Sequence, residues 1–292
     1  MMANPKKGRN HMKKLIGILL TVTLAVGLAG TALAADEIMV ISREAGSGTR
    51  GAFVELTGVE AKDADGNKVD NTYEDAIIQN GTAQVITTVA SAEDAIGYIS
   101  LGSLNDTVKA LTVDGVEATA ENVQSGAYTL ARPFNIAVKE GVSDTAQDFI
   151  AWILSAEGQQ IVADNKYVAL TPAEYEAAPV AGKIVVGGSS SVGPLMEKLA
   201  EAYMAANADV DIEVQISDST TGMTGAADGT FDIGMASREL KDSELEKGLL
   251  PTVIAMDGIA MVVNNANTLE NITTEQIRQV FVGEITLWSE LQ

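Results

Sequence analysis

The chain has no cysteine and one histidine, His11. Without thiols it has no disulfide, no thiolate nucleophile and no cysteine to carry a lipid. His11 lies among N-terminal basic residues, ahead of the segments that read as folded, so no Ser-His-acid triad can assemble. No Ser-x-x-Lys spacing accompanies the serine-rich loops either. Without His or Cys, a metal would find only carboxylate oxygens. The candidate, Asp63, Asp65 and Asp70 in DADGNKVD, lacks the closing Glu of a calcium loop and reads as a polar turn. Basic residues are scarce: 19 Lys and Arg stand against 40 Asp and Glu. So acidic a chain does not bind nucleic acid or an anionic membrane through its general field.

The first 34 residues read as a leader. Lys6, Lys7, Arg9, Lys13 and Lys14 precede an almost wholly apolar Leu15–Leu33, and Ala32-Leu33-Ala34 before Ala35 is a signal-peptidase site. Met12 is an alternative start, and an uncleaved anchor is the alternative reading. The expectation is an exported, soluble, periplasmic or extracellular protein. The 258 residues that remain carry 14 basic and 40 acidic side chains, a balance of −26. That length suits two domains, each able to bury a core.

Strand-like and amphipathic helical runs alternate, which predicts an α/β fold. Strands are expected at Glu37–Ser42, Ala95–Leu101, Phe134–Lys139, Lys183–Gly187, Val210–Ile216, Phe231–Met235, Thr252–Ala255 and Ile259–Val263. Helices are expected at Thr49–Leu56, Ala83–Ser91, Thr145–Ala163, Leu195–Ala206 and Thr274–Val282. Asp114-Gly115 between apolar runs signals a hairpin. Thr171–Gly182 (TPAEYEAAPVAG) has neither periodicity and reads as a linker.

Three Gly/Ser/Thr-rich loops each open a helix: Arg43–Gly51 (REAGSGTRG), Gly187–Pro194 (GGSSSVGP) and Asp218–Gly222 (DSTTG). Such a loop aims backbone N–H groups and hydroxyls at one point, where the helix dipole adds positive charge. Each alone is also an ordinary capped turn. Three together predict one small anion held from several sides. Arg43, at a strand end, offers the guanidinium for a bidentate contact, unless an ion pair with Glu44 or another acid occupies it. Gly46-Ser-Gly48-Thr-Arg-Gly51 formally matches the dinucleotide fingerprint, but no second strand follows it and no P-loop lysine is present. No cofactor is expected.

These segments resemble the phosphate-binding proteins of bacterial phosphate ABC transporters. GGSSSVGPLMEKLAEAY is similar to the family's opening, ISDSTTGMTGAADGTFDIGMASREL to its second anion loop, IMVISREAGSGTRGAF to its signature, and ARPFNIAVKEG with FIAWILSAEGQQIVADNKYVAL to its C-terminal end. The resemblance implies a two-lobed periplasmic-binding-protein-like fold, type II, with a hinge and a central anion cleft. It implies a non-enzymatic, monomeric receptor that passes inorganic phosphate to a permease. It assigns phosphate to Arg43, Ser47, Gly48 and Thr49, to Ser190, Ser191 and the Val192 N–H, to Ser219 and to Ser237. Some members carry Asp at the position of Ser237, where it accepts the phosphate proton. Here Asp218, Glu44 or Glu239 would have to substitute, and sulfate is the alternative ligand. An enzyme on phosphorylated substrates is the alternative of another class.

The order of the segments differs from the family's. KIVVGGSSS opens the family chain, whereas here it follows the REAGSGT half through the 171–182 linker. The sequence therefore reads as circularly permuted, with a tandem-array fragment or a rearranged gene as alternatives. One lobe is expected at 35–129 plus 258–292, and the other, continuous, at 130–257.

Overall fold

The computed structural model describes residues 1–2 and 36–291, so nearly all of the expected leader lies outside the described residues. In chain order the strands are β1 Met39–Arg43, β2 Glu60–Lys62, β3 Lys68–Asp70, β4 Ile77–Gln79, β5 Ala95–Ser100, β6 Val108–Ala110, β7 Thr112–Val113, β8 Ala131–Lys139, β9 Gly182–Ser189, β10 Val210–Ser217, β11 Ile233–Ala236, β12 Leu249–Asn264 and β13 Asn271–Ile272. One sheet runs β10-β9-β11-β8-β12-β5-β1-β4, with β6 added against β12.

β12 holds this sheet together. Leu249–Gly258 pairs antiparallel with β8, and Ile259–Val263 pairs antiparallel with β5. Two strands were expected here, at 252–255 and 259–263. They are one, because Met256, Asp257 and Gly258 stay extended against Pro133, Arg132 and Ala131. The Ile259–Val263 stretch is completely buried, as expected of an apolar strand covered on both faces. A bulge between Val253 and Ala255 bends the strand.

Two main cores flank this spine. One gathers Ile41, Phe53, Val85, Ile96, Tyr98 and Phe281 with the C-terminal half of β12. The other gathers Phe134, Phe149, Trp152, Val186, Leu199 and Tyr203 with Ile254 and Ala255. Among the described residues no helix is long and apolar enough to cross a membrane.

Local chemistry explains where the elements stop. The expected helix Thr145–Ala163 is two helices, Asp144–Ile153 and Ala156–Asp164. Ser155 divides them, because its hydroxyl accepts from Gly158 N–H and starts a new helix. Asp114 and Gly115 adopt φ of 52° and 79°, and Val113 and Val116 exchange both backbone hydrogen bonds around them. In the DADGNKVD turn the Asp63 carboxylate accepts from Asp65 N–H, Asn67 N–H and Asn67 Nδ2.

Thr171–Ala181 forms no helix or strand, yet it is tied down. Ala173 N–H donates to Leu154 O at 2.8 Å, Tyr175 Oη to Asp148 Oδ2 at 3.0 Å, and Ala178 N–H to Asp148 Oδ1 at 3.1 Å. At the other side of the molecule, Asp36 meets the C-terminal segment. Trp288 N–H donates to Asp36 O at 2.8 Å, and Ser289 donates its N–H and hydroxyl to the Asp36 carboxylate.

Where β8 and β12 cross between the cores, Arg132 Nη2 donates to Asp257 Oδ2 at 3.1 Å, both side chains being buried. Burial pushes the Asp257 carboxyl up and the Arg132 guanidinium down, and each charge opposes the shift of the other. Removing one partner strands the other charge in the interior. Asp257→Asn should therefore lower the unfolding free energy by about 3–5 kcal/mol in urea titrations at pH 7. A change within about 1 kcal/mol would mean that Arg132 finds other partners or water.

Candidate functional site

Each cradle is a strand that ends, a short turn and a helix that begins. β1 delivers Arg43. Ser47 then caps the helix Gly48–Thr57, its hydroxyl accepting from Arg50 N–H. β9 delivers Ser189, Ser190 and Ser191 ahead of the helix Gly193–Ala206, whose first turn holds Pro194. β10 leads to Asp218, which caps the helix Ser219–Asp228 through Thr221 N–H. β11 ends just before Ser237. β9 lies parallel to both β10 and β11, as β1 does to β4 and β5, so within each group the C-terminal ends share an edge. The ligand-facing crevice of open α/β sheets lies at such edges.

The three turns meet. Thr49 Oγ1 lies 2.8 Å from Ser191 Oγ and 3.4 Å from Ser237 Oγ. Ser189 Oγ donates to Ser237 Oγ at 3.0 Å, and Ser237 N–H donates to Ser219 Oγ at 3.1 Å. Gly48 sits where nothing larger fits: a Cβ there would stand 2.3 Å from Ser219 Oγ and 2.8 Å from Ser237 Oγ. Thr220 closes the same junction from outside, its N–H and hydroxyl both donating to Gly46 O, at 3.1 and 3.2 Å. These hydroxyls belong to turns on different cores and satisfy one another across the junction.

Arg43 is only 2 % exposed. Its Nε and Nη2 donate to the two Glu44 oxygens at 2.8 and 2.7 Å, the ion pair that the sequence offered as its other role. The pair does not use up the guanidinium. Nη2 also donates to Ser190 Oγ at 3.1 Å, and Nη1 points at Thr82 Oγ1, 3.5 Å away. The backbone of Arg43 is fixed as well. Its N–H donates to Tyr98 Oη at 3.2 Å, and its carbonyl accepts from Arg50 Nη1 at 2.8 Å. Tyr98 is itself clamped, stacked on Phe53 at 3.9 Å between ring centroids and hydrogen-bonded to Ser42. Its burial pushes the phenol up to about 12, so it stays neutral.

Of the residues expected from sequence, Arg43 bonds Ser190, while Thr49, Ser191, Ser237 and Ser219 form a second chain with Gly48 packed against it; Thr82 joins the two. Ser47 is a helix cap. Val192 directs its N–H to Ser189 O at 3.1 Å, inside its own turn. Of the proposed substitute acids, Glu44 is committed to Arg43 and to Gly81 N–H, and Asp218 to capping its helix. Glu239 Oε2 accepts from Asn135 Nδ2 at 3.4 Å. Sequence reading missed Thr82 and Tyr98. Thr82 follows Asn80-Gly81 and opens the helix Thr82–Ser91, so it carries the same Gly-hydroxyl-helix signal as the three loops in a shorter form. Tyr98 carries no such signal, since only the packing reveals that its hydroxyl reaches Arg43.

Comparison with known proteins agrees with this architecture. The profile of a PBP superfamily domain matches residues 23–157 and 173–292. A phosphate-binding protein PstS 2 of Streptococcus agalactiae is 52% identical over 256 residues, 87% of this chain and 87% of that protein. One from Streptococcus pneumoniae is 46% identical over 283 residues, 92% of this chain and 97% of that protein. The crystal structure of a phosphate ABC transporter, phosphate-binding protein from Streptococcus pneumoniae superposes with a TM-score of 0.69 at 49% identity. It covers 88% of this chain and 100% of its own.

Gly48 gives this geometry a direct test. Gly48→Ala drives a methyl into two hydroxyl oxygens, and it is accepted only if those hydroxyls rotate off their bonds or the turns move apart. Anion affinity measured by calorimetry should fall by roughly a hundredfold or more, the scale of one such misfit. Affinity equal to wild type would mean that the turns do not need to close this tightly.

Proposed function

This chain belongs to the PBP superfamily and, within it, to the phosphate-binding proteins of phosphate ABC transporters, and from that premise we propose that it captures inorganic phosphate between its two lobes and delivers it to a membrane permease. The family comprises solute-binding components, not enzymes. The observation that carries the reading is the convergence of Thr49, Ser191 and Ser237 beside buried Arg43.

Energetics support it. Hydrogen bonds to a charged ligand contribute roughly 1.5–3 kcal/mol each, and micromolar affinity needs about 8 kcal/mol. Four or five of these donors suffice. The remainder offsets the desolvation of the anion and its repulsion by an acidic chain. Arg43 contributes less net charge than its type suggests, because Glu44 accompanies it. Aligned donors therefore carry much of the binding.

We read Arg43, Ser47, Gly48, Thr49, Ser190, Ser191, Val192, Ser219 and Ser237 as the phosphate site, with Ser47 and Val192 acting through the shape of their turns. The lobes divide at 35–129 plus 258–292 and 130–257, a division supported by the two main cores. Permutation is part of the same proposal. It is supported by Asp36 lying against Trp288 and Ser289 and by the exposed course of 171–182. We propose a monomer, exported through the 1–34 leader, with no nucleic-acid partner. Sulfate is the second reading, favoured by one observation: Ser237 contributes a neutral hydroxyl between Ser189 and Thr49 where a carboxylate would reject a fully ionised anion.

Calorimetry of the purified protein with phosphate and with sulfate decides between the two. Phosphate should bind with micromolar or tighter affinity; heat from sulfate alone would transfer the assignment to sulfate, and binding of neither would end both readings. Arg43→Ala should weaken phosphate binding by far more than Arg50→Ala, since Arg50 reaches only the Arg43 carbonyl and Asp70. Equal losses, or a larger one at Arg50, would show that the wrong guanidinium has been assigned.

A further inference from the structure

Thr82 lies outside the three loops, yet its side chain is in the middle of them. It is the first residue of the helix Thr82–Ser91 and is 4 % exposed. Its Oγ1 lies 3.1 Å from Ser191 Oγ, 3.4 Å from Ser190 Oγ and 3.5 Å from Arg43 Nη1. Its N–H donates to Ser190 Oγ at 3.3 Å. Thr82 and Arg43 belong to one half of the molecule, Ser190 and Ser191 to the other.

This placement is built, not incidental. Gly81 turns the chain with φ of 109°, a conformation that side chains rarely adopt. Gly81 N–H donates to Glu44 Oε2 at 3.2 Å, on the same carboxylate that grips Arg43. Glu44 thus ties the Gly81-Thr82 turn and the guanidinium into one unit. A threonine hydroxyl has one proton to give and two lone pairs. With a lone pair toward Arg43 Nη1, the proton is left for the point shared by Ser190 and Ser191.

We propose that Thr82 is a fourth-loop ligand of the bound oxyanion: its hydroxyl donates to the anion beside Ser191 while accepting from Arg43, and so registers the guanidinium against the opposite lobe. This rests on the reading of the junction as a phosphate site. The hydroxyl is the operative group, so shape and hydrogen bonding can be separated. Thr82→Val keeps the shape and removes the donor; Thr82→Ser keeps the donor.

The test is calorimetric titration with inorganic phosphate of wild type, Thr82→Val, Thr82→Ser and Arg43→Ala, with melting temperatures recorded without phosphate. Thr82→Val should bind roughly tenfold to a hundredfold more weakly, the loss of one hydrogen bond to a charged ligand. Thr82→Ser should stay within about threefold of wild type, the scale of a lost methyl contact. Should Thr82→Val not fold, Thr82→Ala takes its place with the same expectation. Wild-type affinity in a folded variant lacking the hydroxyl, while Arg43→Ala loses phosphate, overturns the role of Thr82 and leaves the phosphate site standing. A wild-type protein that does not take up phosphate, or an Arg43→Ala variant that binds as well as wild type, overturns the site itself and Thr82 with it.

Discussion

The junction of the three turns is organised around one buried guanidinium held on several sides. An arginine with 2 % exposure is costly unless its charge is met and its donors are used. Glu44 meets the charge of Arg43 from the adjacent position in sequence, so the pair forms within one turn of chain. Tyr98 and Arg50 fix the backbone on either side of it. Only then do Nη1 and Nη2 acquire definite directions, and both aim at hydroxyls in or beside the junction. The remaining groups are short side chains on strand ends and in first helical turns, with little freedom to lose.

The second requirement is that turns on separate cores arrive at one place. β12 supplies this by serving both halves of the sheet in a single run, with β8 hydrogen-bonded along its first part. Chain order matters less than it first seems in such a molecule. The turn bearing Arg43 precedes in sequence the turns bearing Ser191 and Ser219, yet contacts rather than connectivity bring them together. The short bonds around Asp36 and along 171–182 show how each lobe fastens chain segments that have no regular structure of their own.

Most of the fold could be read in the sequence because its signals are local. Strand ends followed by Gly and Ser, the Asp114-Gly115 turn and the aperiodic 171–182 stretch each state their conformation within a few residues. Two misreadings had different causes, one tertiary and one local. Asp257 falls in the gap between the two strands expected at 252–255 and 259–263, and its pairing with Arg132 on β8 is visible only in space. Ser155 falls inside the single helix expected at Thr145–Ala163, whereas it lies between two helices and caps the second. In the site, the loops advertised themselves by composition, and Thr82 did so only faintly through Gly81. Tyr98 and the double engagement of Arg43 left no trace, because aromatic stacking and a shared carboxylate are products of packing.

The crossing of the two lobes by β8 and β12 also has a mechanical consequence. Where domains are joined by loops, one can swing by rotating a few backbone angles. Here the crossing consists of paired strands, Met256, Asp257 and Gly258 lying against Pro133, Arg132 and Ala131. Any rotation of one half against the other has to twist paired strands rather than a free loop. Paired strands at that point tie the opening of one half to the twist of the sheet itself, so the two halves share a mechanical element as well as a boundary.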